Sequence, residues 1–184
     1  MQTLDLDSGA YRASTLHDLH DFAHLQYQLT NVSWFTRCCV ATDMVGVKAL
    51  DINTAYALLA GTTKPVATSF NLAEYVEPIV KMMDMAEGRE GAFAQHPWLL
   101  AHISSIISLL RFGADAVEVC FECVKHNITV SCITAAQSGA TAPAAPAGVL
   151  TQSLAETLAA LTMVHVMKPG HPMIFSNWPF VIDL

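Results

Sequence analysis

Basic residues are scarce in this 184-residue chain: Lys and Arg total 9 against 16 Asp and Glu, a net charge of −7. They are scattered along the sequence, so no surface that tracks phosphates is present and nucleic acid is excluded as a partner. A clean apolar run is missing too. The longest apolar stretch, Ala142 to Met163, is interrupted by Gln152, Glu156 and several Thr and Ser, which a lipid-spanning helix rarely tolerates. The opening MQTLDLDSGAYR carries two Asp and no apolar core, unlike a signal or transit peptide. The expectation is a soluble, cytoplasmic protein with no membrane partner. The five cysteines form an odd set without a secretory leader, which argues against a disulfide framework. Cys120-Phe121-Glu122-Cys123 has knuckle or redox spacing, but no second pair accompanies it and it falls within a helical pattern. These thiols read as buried small hydrophobes.

What is present is apolar residue, 53% of the chain, enough to build the core of one domain spanning residues 1–184. Around Asp7-Ser8-Gly9 the sequence alternates as a small hairpin does, with Gly9 at the turn. Thr15 and Asp18 then form the two ends of a capping box before Leu16, Leu19 and Phe22. Apolar strand patterns follow at 32–41, 64–70, 97–108, 128–135 and 172–178. Helical patterns lie between them: 52–60, closed by Gly61; a helix capped by Asn71 with Glu74 and ended by Gly88; 114–126; and a long helix opened by Thr141 and Pro143. Strands alternating with helices, without strict period-two patterning, predict an α/β protein with a parallel sheet covered on its faces. An open doubly wound sheet and part of a (β/α)8 barrel both satisfy this. The absence of a Gly-x-Gly-x-x-Gly after the first strand removes the main support for a dinucleotide-binding version of the former.

In either arrangement chemistry belongs at the C-terminal ends of the strands: Trp34 to Arg37, Thr68 to Phe70, His102 to Ser105, Ala135 to Gly139, and Phe175 to Trp178. These ends hold no carboxylate pair, no Ser-His-Asp set and no phosphate cradle, which leaves glycoside hydrolysis, triad acyl transfer and phosphoryl transfer without residues. Aromatics, hydroxyls and amides suit a small ligand held by shape, cation–π attraction and a few hydrogen bonds. Trp178, Phe175, Phe180, Trp34 and Phe70 could form a cage for a methylated ammonium; ordinary core aromatics would look the same. Gln137 and Ser138 project at the rim of a tight turn at Gly139. His17, His20 and His24 share one helix face, which could bind zinc but is equally a solvated surface. No metal site is assigned. His171, ahead of the last strand, reads as structural.

Four stretches taken together, LHDLHDFA, LDINTAYALLAGTTKPVATSF, QSGATAPAAPAG and KPGHPMIFSNWPFVIDL, resemble the trimethylamine methyltransferase family over Leu4 to Leu184. That family comprises the pyrrolysine-containing trimethylamine:corrinoid enzymes and their relatives acting on glycine betaine and similar quaternary amines. The resemblance implies a TIM-type barrel of which this chain supplies a central part, about five β/α units preceded by a hairpin. It implies a methyltransferase moving a methyl group from a methylated amine to a cob(I)alamin-type cobalt corrinoid carried by a partner protein, with no cofactor bound directly. Trp178, Phe175, Phe70 and Trp34 would then hold the cation, and Asn177, Gln137 and Ser138 would orient it. No residue is assigned as catalytic. A partial barrel leaves sheet edges uncovered, so a homo-oligomer is expected. The alternative is a catalytically silent half-barrel that binds an amine or a partner chain. The sequence departs from the family pattern at Cys38-Cys39, Ser108 to Leu110, Ala136, Ser138 and Ser176-Asn177.

Overall fold

A computed structural model describes residues 2–107 and 109–181. The chain opens with an antiparallel pair, β1 (Gln2–Leu4) and β2 (Tyr11–Ala13). Gly9 takes φ +68° in the turn between them, a conformation glycine adopts without cost. The capping box forms as its spacing predicts: Thr15 Oγ1 accepts from the Asp18 amide and Asp18 accepts from the Thr15 amide, starting α1 (Leu16–Gln28). Arg12 places two guanidinium nitrogens 2.7 Å from the same carboxylate, fastening the hairpin to the helix. That pairing holds the Asp18 carboxyl well below the usual range.

Five parallel strands follow: β3 (Phe35–Thr36), β4 (Val66–Thr68), β5 (Leu99–Ile103), β8 (Thr129–Thr134) and β10 (Met173–Asn177). Between β5 and β8 lies a short antiparallel pair, β6 (Ile106–Ile107) and β7 (Arg111–Phe112). A second small parallel pair, β9 (Gln137–Ser138) and β11 (Phe180–Val181), extends the sheet beyond β8 and β10. The helices are α2 (Val47–Gly61), α3 (Val76–Glu87), α4 (Ala114–Lys125) and α5 (Pro146–Met167).

Strand order across the main sheet is β10-β8-β5-β4-β3, the order of the chain itself. Each strand lies beside its successor with no reversal of direction, whereas a doubly wound sheet reverses at its switch point. The sheet is curled, and its winding carries the helices onto one face. Phe35, Val66, Leu99, Ala101, Ile103, Val130 and Cys132 point to that face and pack with Leu58, Ile79, Met83, Val119 and Val164 of the helices. The register places Thr36, Ala67, Leu100, His102, Ser131, Ile133 and Ser176 on the opposite, inner face. In α5, which is long and apolar enough by composition to cross a bilayer, Ser153, Glu156 and Thr157 are buried and Thr157 Oγ1 meets Thr134 Oγ1 of the sheet at 3.0 Å.

Several expected boundaries move. The pattern at 32–41 yields only two strand residues, because the last ladder bond is Arg37 N–H to Ala67 O at 2.9 Å. Beyond it the chain turns toward the hairpin: Ser14 Oγ donates to Val40 O and the Thr42 amide donates to Ser14 O. Asn71 does not cap α3. Its amide and side-chain nitrogens donate to the buried Asp51 carboxylate, and α3 starts at Val76 after a 3-10 turn over Ala73–Tyr75. Gly88, at φ +82°, ends α3 as expected. Thr141 does not cap α5 either; its hydroxyl accepts the Gln137 amide, and the helix opens with Pro146 in its first turn, where a missing N–H costs nothing. The strand expected over 97–108 stops at Ile103, and Ser108 lies outside the described residues.

Candidate functional site

A cavity of about 1080 Å³ lies over the C-terminal ends of the five strands. Each strand contributes to its wall through the residue at or just past its end: Arg37 after β3, Phe70 after β4, Ser104 after β5, Ala135 after β8, and Asn177 closing β10. Cys38 and Cys39 line it from the turn after β3, and Trp178 and Phe180 from the segment after β10. Among the described residues the wall contains no carboxylate. A second groove of about 810 Å³ runs along α3 toward the end of α4, lined by charged side chains that pair with one another, such as Lys81 with Glu77 at 2.8 Å. Its position away from the strand ends sets it apart from the first.

His102 stands near the centre of the inner face. Its Nε2 lies 3.2 Å from Thr36 Oγ1, and its ring lies against the Trp34 indole with centroids 6.0 Å apart. Its Nδ1 is buried with no protein partner. Burial first, and the charge of Arg37 second, push its pKa below the ordinary histidine value, so the ring is neutral at pH 7. Asn177 Oδ1 is likewise buried in the cavity wall without a hydrogen bond. Both residues belong to the cavity wall, and neither buried atom has a hydrogen-bond partner among the described residues, a state that buried polar groups seldom keep.

The residues singled out from sequence separate into groups. Trp178, Asn177 and Phe70 line the cavity, joined by Phe180, whose ring centroid is 5.8 Å from that of Trp178. Trp34 supports His102 from the inner face. Phe175 pairs in register with the buried Cys132 and shares the helix-bearing face of the sheet, half-exposed at the β10 edge. Gln137 and Ser138 form β9 beside β11; Gln137 is exposed, and Ser138 donates to Ala144 O at 2.9 Å, closing its own loop. Neither reaches the cavity wall. Strand alternation could have separated Phe175 from Ser176 in advance, since neighbours on a strand face opposite ways.

His17, His20 and His24 do share a face, with successive ring centroids 6.4 Å apart. His17, His20 and Asp21 bring ligand atoms within 4.8 Å of one another, the one such group among the described residues. It is a solvent-facing patch: His17 is 82% exposed, and none of the three lines the strand-end cavity. His171 is buried and donates from Nε2 to Ile128 O at 2.9 Å, a structural bond ahead of β10. All five cysteines are free thiols. Burial pushes Cys38, at the cavity, up to about 11 and raises Cys39 also. A protonated thiol is a poor nucleophile.

The sequence profile described as trimethylamine methyltransferase (MTTB) matches residues 2–184. Trimethylamine methyltransferase MttB1 of Methanosarcina mazei is 24% identical over 171 residues, 93% of this chain and 34% of that protein. Trimethylamine methyltransferase MttB of Methanosarcina barkeri is 23% identical over 167 residues, covering 91% and 34% of the two. Glycine betaine methyltransferase of Desulfitobacterium hafniense is 22% identical over 176 residues, covering 96% and 36%. The chain thus spans about a third of the length of these relatives. With a match running through hairpin, parallel strands and strand-end cavity alike, the chain belongs to the trimethylamine methyltransferase family.

Proposed function

We propose that this chain is the amine-binding segment of a methyltransferase that takes a methyl group from a methylated or quaternary amine. The observation that carries the reading is the composition of the cavity wall. It offers aromatic faces, one amide, hydroxyls, a neutral imidazole and the Arg37 guanidinium, and no carboxylate among the described residues. A trimethylammonium group cannot donate the usual hydrogen bonds, so π faces are its natural partners, and Trp178 with Phe180 supplies them.

The same wall contains no activated nucleophile, since the cavity thiols are held protonated. The methyl acceptor therefore comes from outside, and we take it to be a cobalt corrinoid on a separate protein. The open rim at Trp178, 61% exposed, leaves room for a bulky group to approach. When bound, the corrinoid supplies a reduced cobalt nucleophile for the methyl carbon. The chain's own part is to orient the cation, with Asn177 and His102 as hydrogen-bonding groups, and to exclude water from the methyl group. A quaternary substrate leaves as a neutral amine and needs no general acid. The curled sheet is then read as five units of a (β/α)8 barrel in a single domain, in the cytoplasm, with its inner face covered in a homo-oligomer.

Calorimetry with glycine betaine, carnitine and trimethylamine tests the reading. Trp178→Ala is expected to weaken binding by about 30-fold, equivalent to the roughly 2 kcal/mol of a desolvated cation–π contact. Phe175→Ala, on the far face of β10, leaves binding unchanged. Absence of saturable binding, or binding indifferent to Trp178, overturns the assignment. The second reading, a binding module without turnover, is favoured by the lack of an acid–base pair in the wall among the described residues. Methyl transfer to a supplied corrinoid protein would exclude it.

A further inference from the structure

Arg37 is a cation with no hydrogen-bond or ion-pair partner among the described residues, in a wall proposed above to hold a cation. It stands just past β3 and lines the cavity, half-buried, in the same wall system as Phe70, His102 and Trp178. Its backbone is fixed by the bond to Ala67 O. Its guanidinium makes no hydrogen bond or ion pair to any described residue. The negative group nearest in effect is Asp51, whose oxygens are occupied by the Asn71 amide at 2.7 Å and by the Asn71 side-chain nitrogen. Cys39, the other acidic group facing Arg37, is held as the neutral thiol.

Burial lowers the pKa of Arg37, yet a guanidinium stays charged at any ordinary pH. A charge partly withdrawn from water without a partner is unfavourable, and a fold keeps one where a ligand supplies the partner. For a substrate that is only a cation, Arg37 is a liability. Like charges enclosed in one low-dielectric cavity repel. For a substrate carrying both a quaternary ammonium and a carboxylate, the two features of the wall become complementary: π faces for one end, a planar five-donor fork for the other.

We infer that Arg37 is the carboxylate anchor of this cavity and that it selects a zwitterionic methylated amine, a betaine, over trimethylamine or choline. The inference rests on the amine-binding reading above and adds to it the chemical class of the substrate and the residue that sets it. Because the contact is charge-assisted and able to form two hydrogen bonds, it discriminates by affinity rather than by shape alone.

The test is a binding comparison between two probes that share a trimethylammonium group, glycine betaine with its carboxylate and choline without, on the protein and on Arg37→Gln. The unsubstituted protein is expected to bind glycine betaine at least about 10-fold tighter than choline, the range of a charge-assisted hydrogen bond. Arg37→Gln lowers glycine betaine affinity by about 10- to 100-fold and leaves choline affinity unchanged or improved. Arg37→Lys, which keeps the charge but not the fork, gives an intermediate ratio and guards against a folding defect in the glutamine variant. A betaine-to-choline ratio that is the same in all three proteins, with binding intact, overturns this inference and leaves amine binding standing. Saturable binding of neither probe overturns both.

Discussion

The Thr36 hydroxyl and His102 Nε2 meet at 3.2 Å although 66 residues separate them in sequence. They lie on β3 and β5, with β4 between. In register with Thr36 is Ala67, whose side chain is a single methyl group. The two polar groups reach each other over it. One end of the imidazole is thereby fixed, and the other end, Nδ1, is buried without a hydrogen bond to any described residue.

Thr36→Val keeps the shape of the side chain and deletes the hydroxyl. It is expected to cost about 1 to 3 kcal/mol, because the imidazole nitrogen loses its partner in a part-buried setting. Urea unfolding reads the loss, and a shift in the His102 imidazole resonances locates it. An unchanged midpoint with unchanged resonances would show that the bond holds nothing in place.

Stability is expected to depend on pH through His102 and His171. Both have folded-state pKa values lowered from 6.5, chiefly by burial. Below 6.5 the unfolded chain takes up protons that the folded chain refuses, so acid favours unfolding. The stability is fully present above 6.5 and falls as the pH drops through the window below it, by no more than about 1.4 kcal/mol per pH unit for each histidine. His102→Gln should flatten the fall. A profile that is level from pH 7 to pH 5 would contradict the assignment.

Gly61, the last residue of α2, lies against α1 so closely that an added Cβ would sit 2.6 Å from Ala23 Cβ and 2.9 Å from His20 O. Alanine is the better helix former by about 1 kcal/mol, but here the backbone of a neighbouring helix must move. Gly61→Ala is expected to destabilise by about 1 to 3 kcal/mol net, lowering the thermal midpoint. A rise would mean that α1 and α2 slide apart freely.

Thiol labelling at pH 8 should be slow throughout the native chain. Cys120 is pushed up to about 11 and Cys132 to about 12 by burial, and Cys38, the one exposed thiol, to about 11. Cys38 is expected to react first and well below the rate of a free thiol; the other four are released only on unfolding. Rapid native modification of Cys39 or Cys132 would show that the core opens locally.

Most helices were legible because their apolar spacing is local, and α1 even announced its cap through Thr15 and Asp18. The strands were legible as apolar runs but not in extent. How far β3 continues is decided by where β4 stops offering partners, a fact about residues 66–68 rather than about 32–41. The cap at Asn71 misread a competition: Asp51, buried in α2 and short of donors, claims the asparagine that pattern alone assigns to α3. Within the site, Trp178, Asn177 and Phe70 could be placed by the rule that chemistry sits past strand ends. Gln137 and Ser138 satisfy the same rule, yet a two-residue pairing with β11 carries them onto a ledge. His102 fell within a recognised strand end, but its role needed Thr36 and Trp34 brought alongside, which no local pattern encodes.

The aromatic wall of the cavity is hung on main-chain bonds. Trp178 donates its amide to Thr134 O and Phe180 donates its amide to Ala136 O, each at 2.9 Å, so the trace of this segment follows β8 whatever side chains it bears. Any residue with an amide hydrogen can occupy positions 178 and 180 without loss of that trace. Single substitutions at these two places therefore alter the chemistry of the cavity wall while the ladder bonds of β8 and the strands beneath stay as they are.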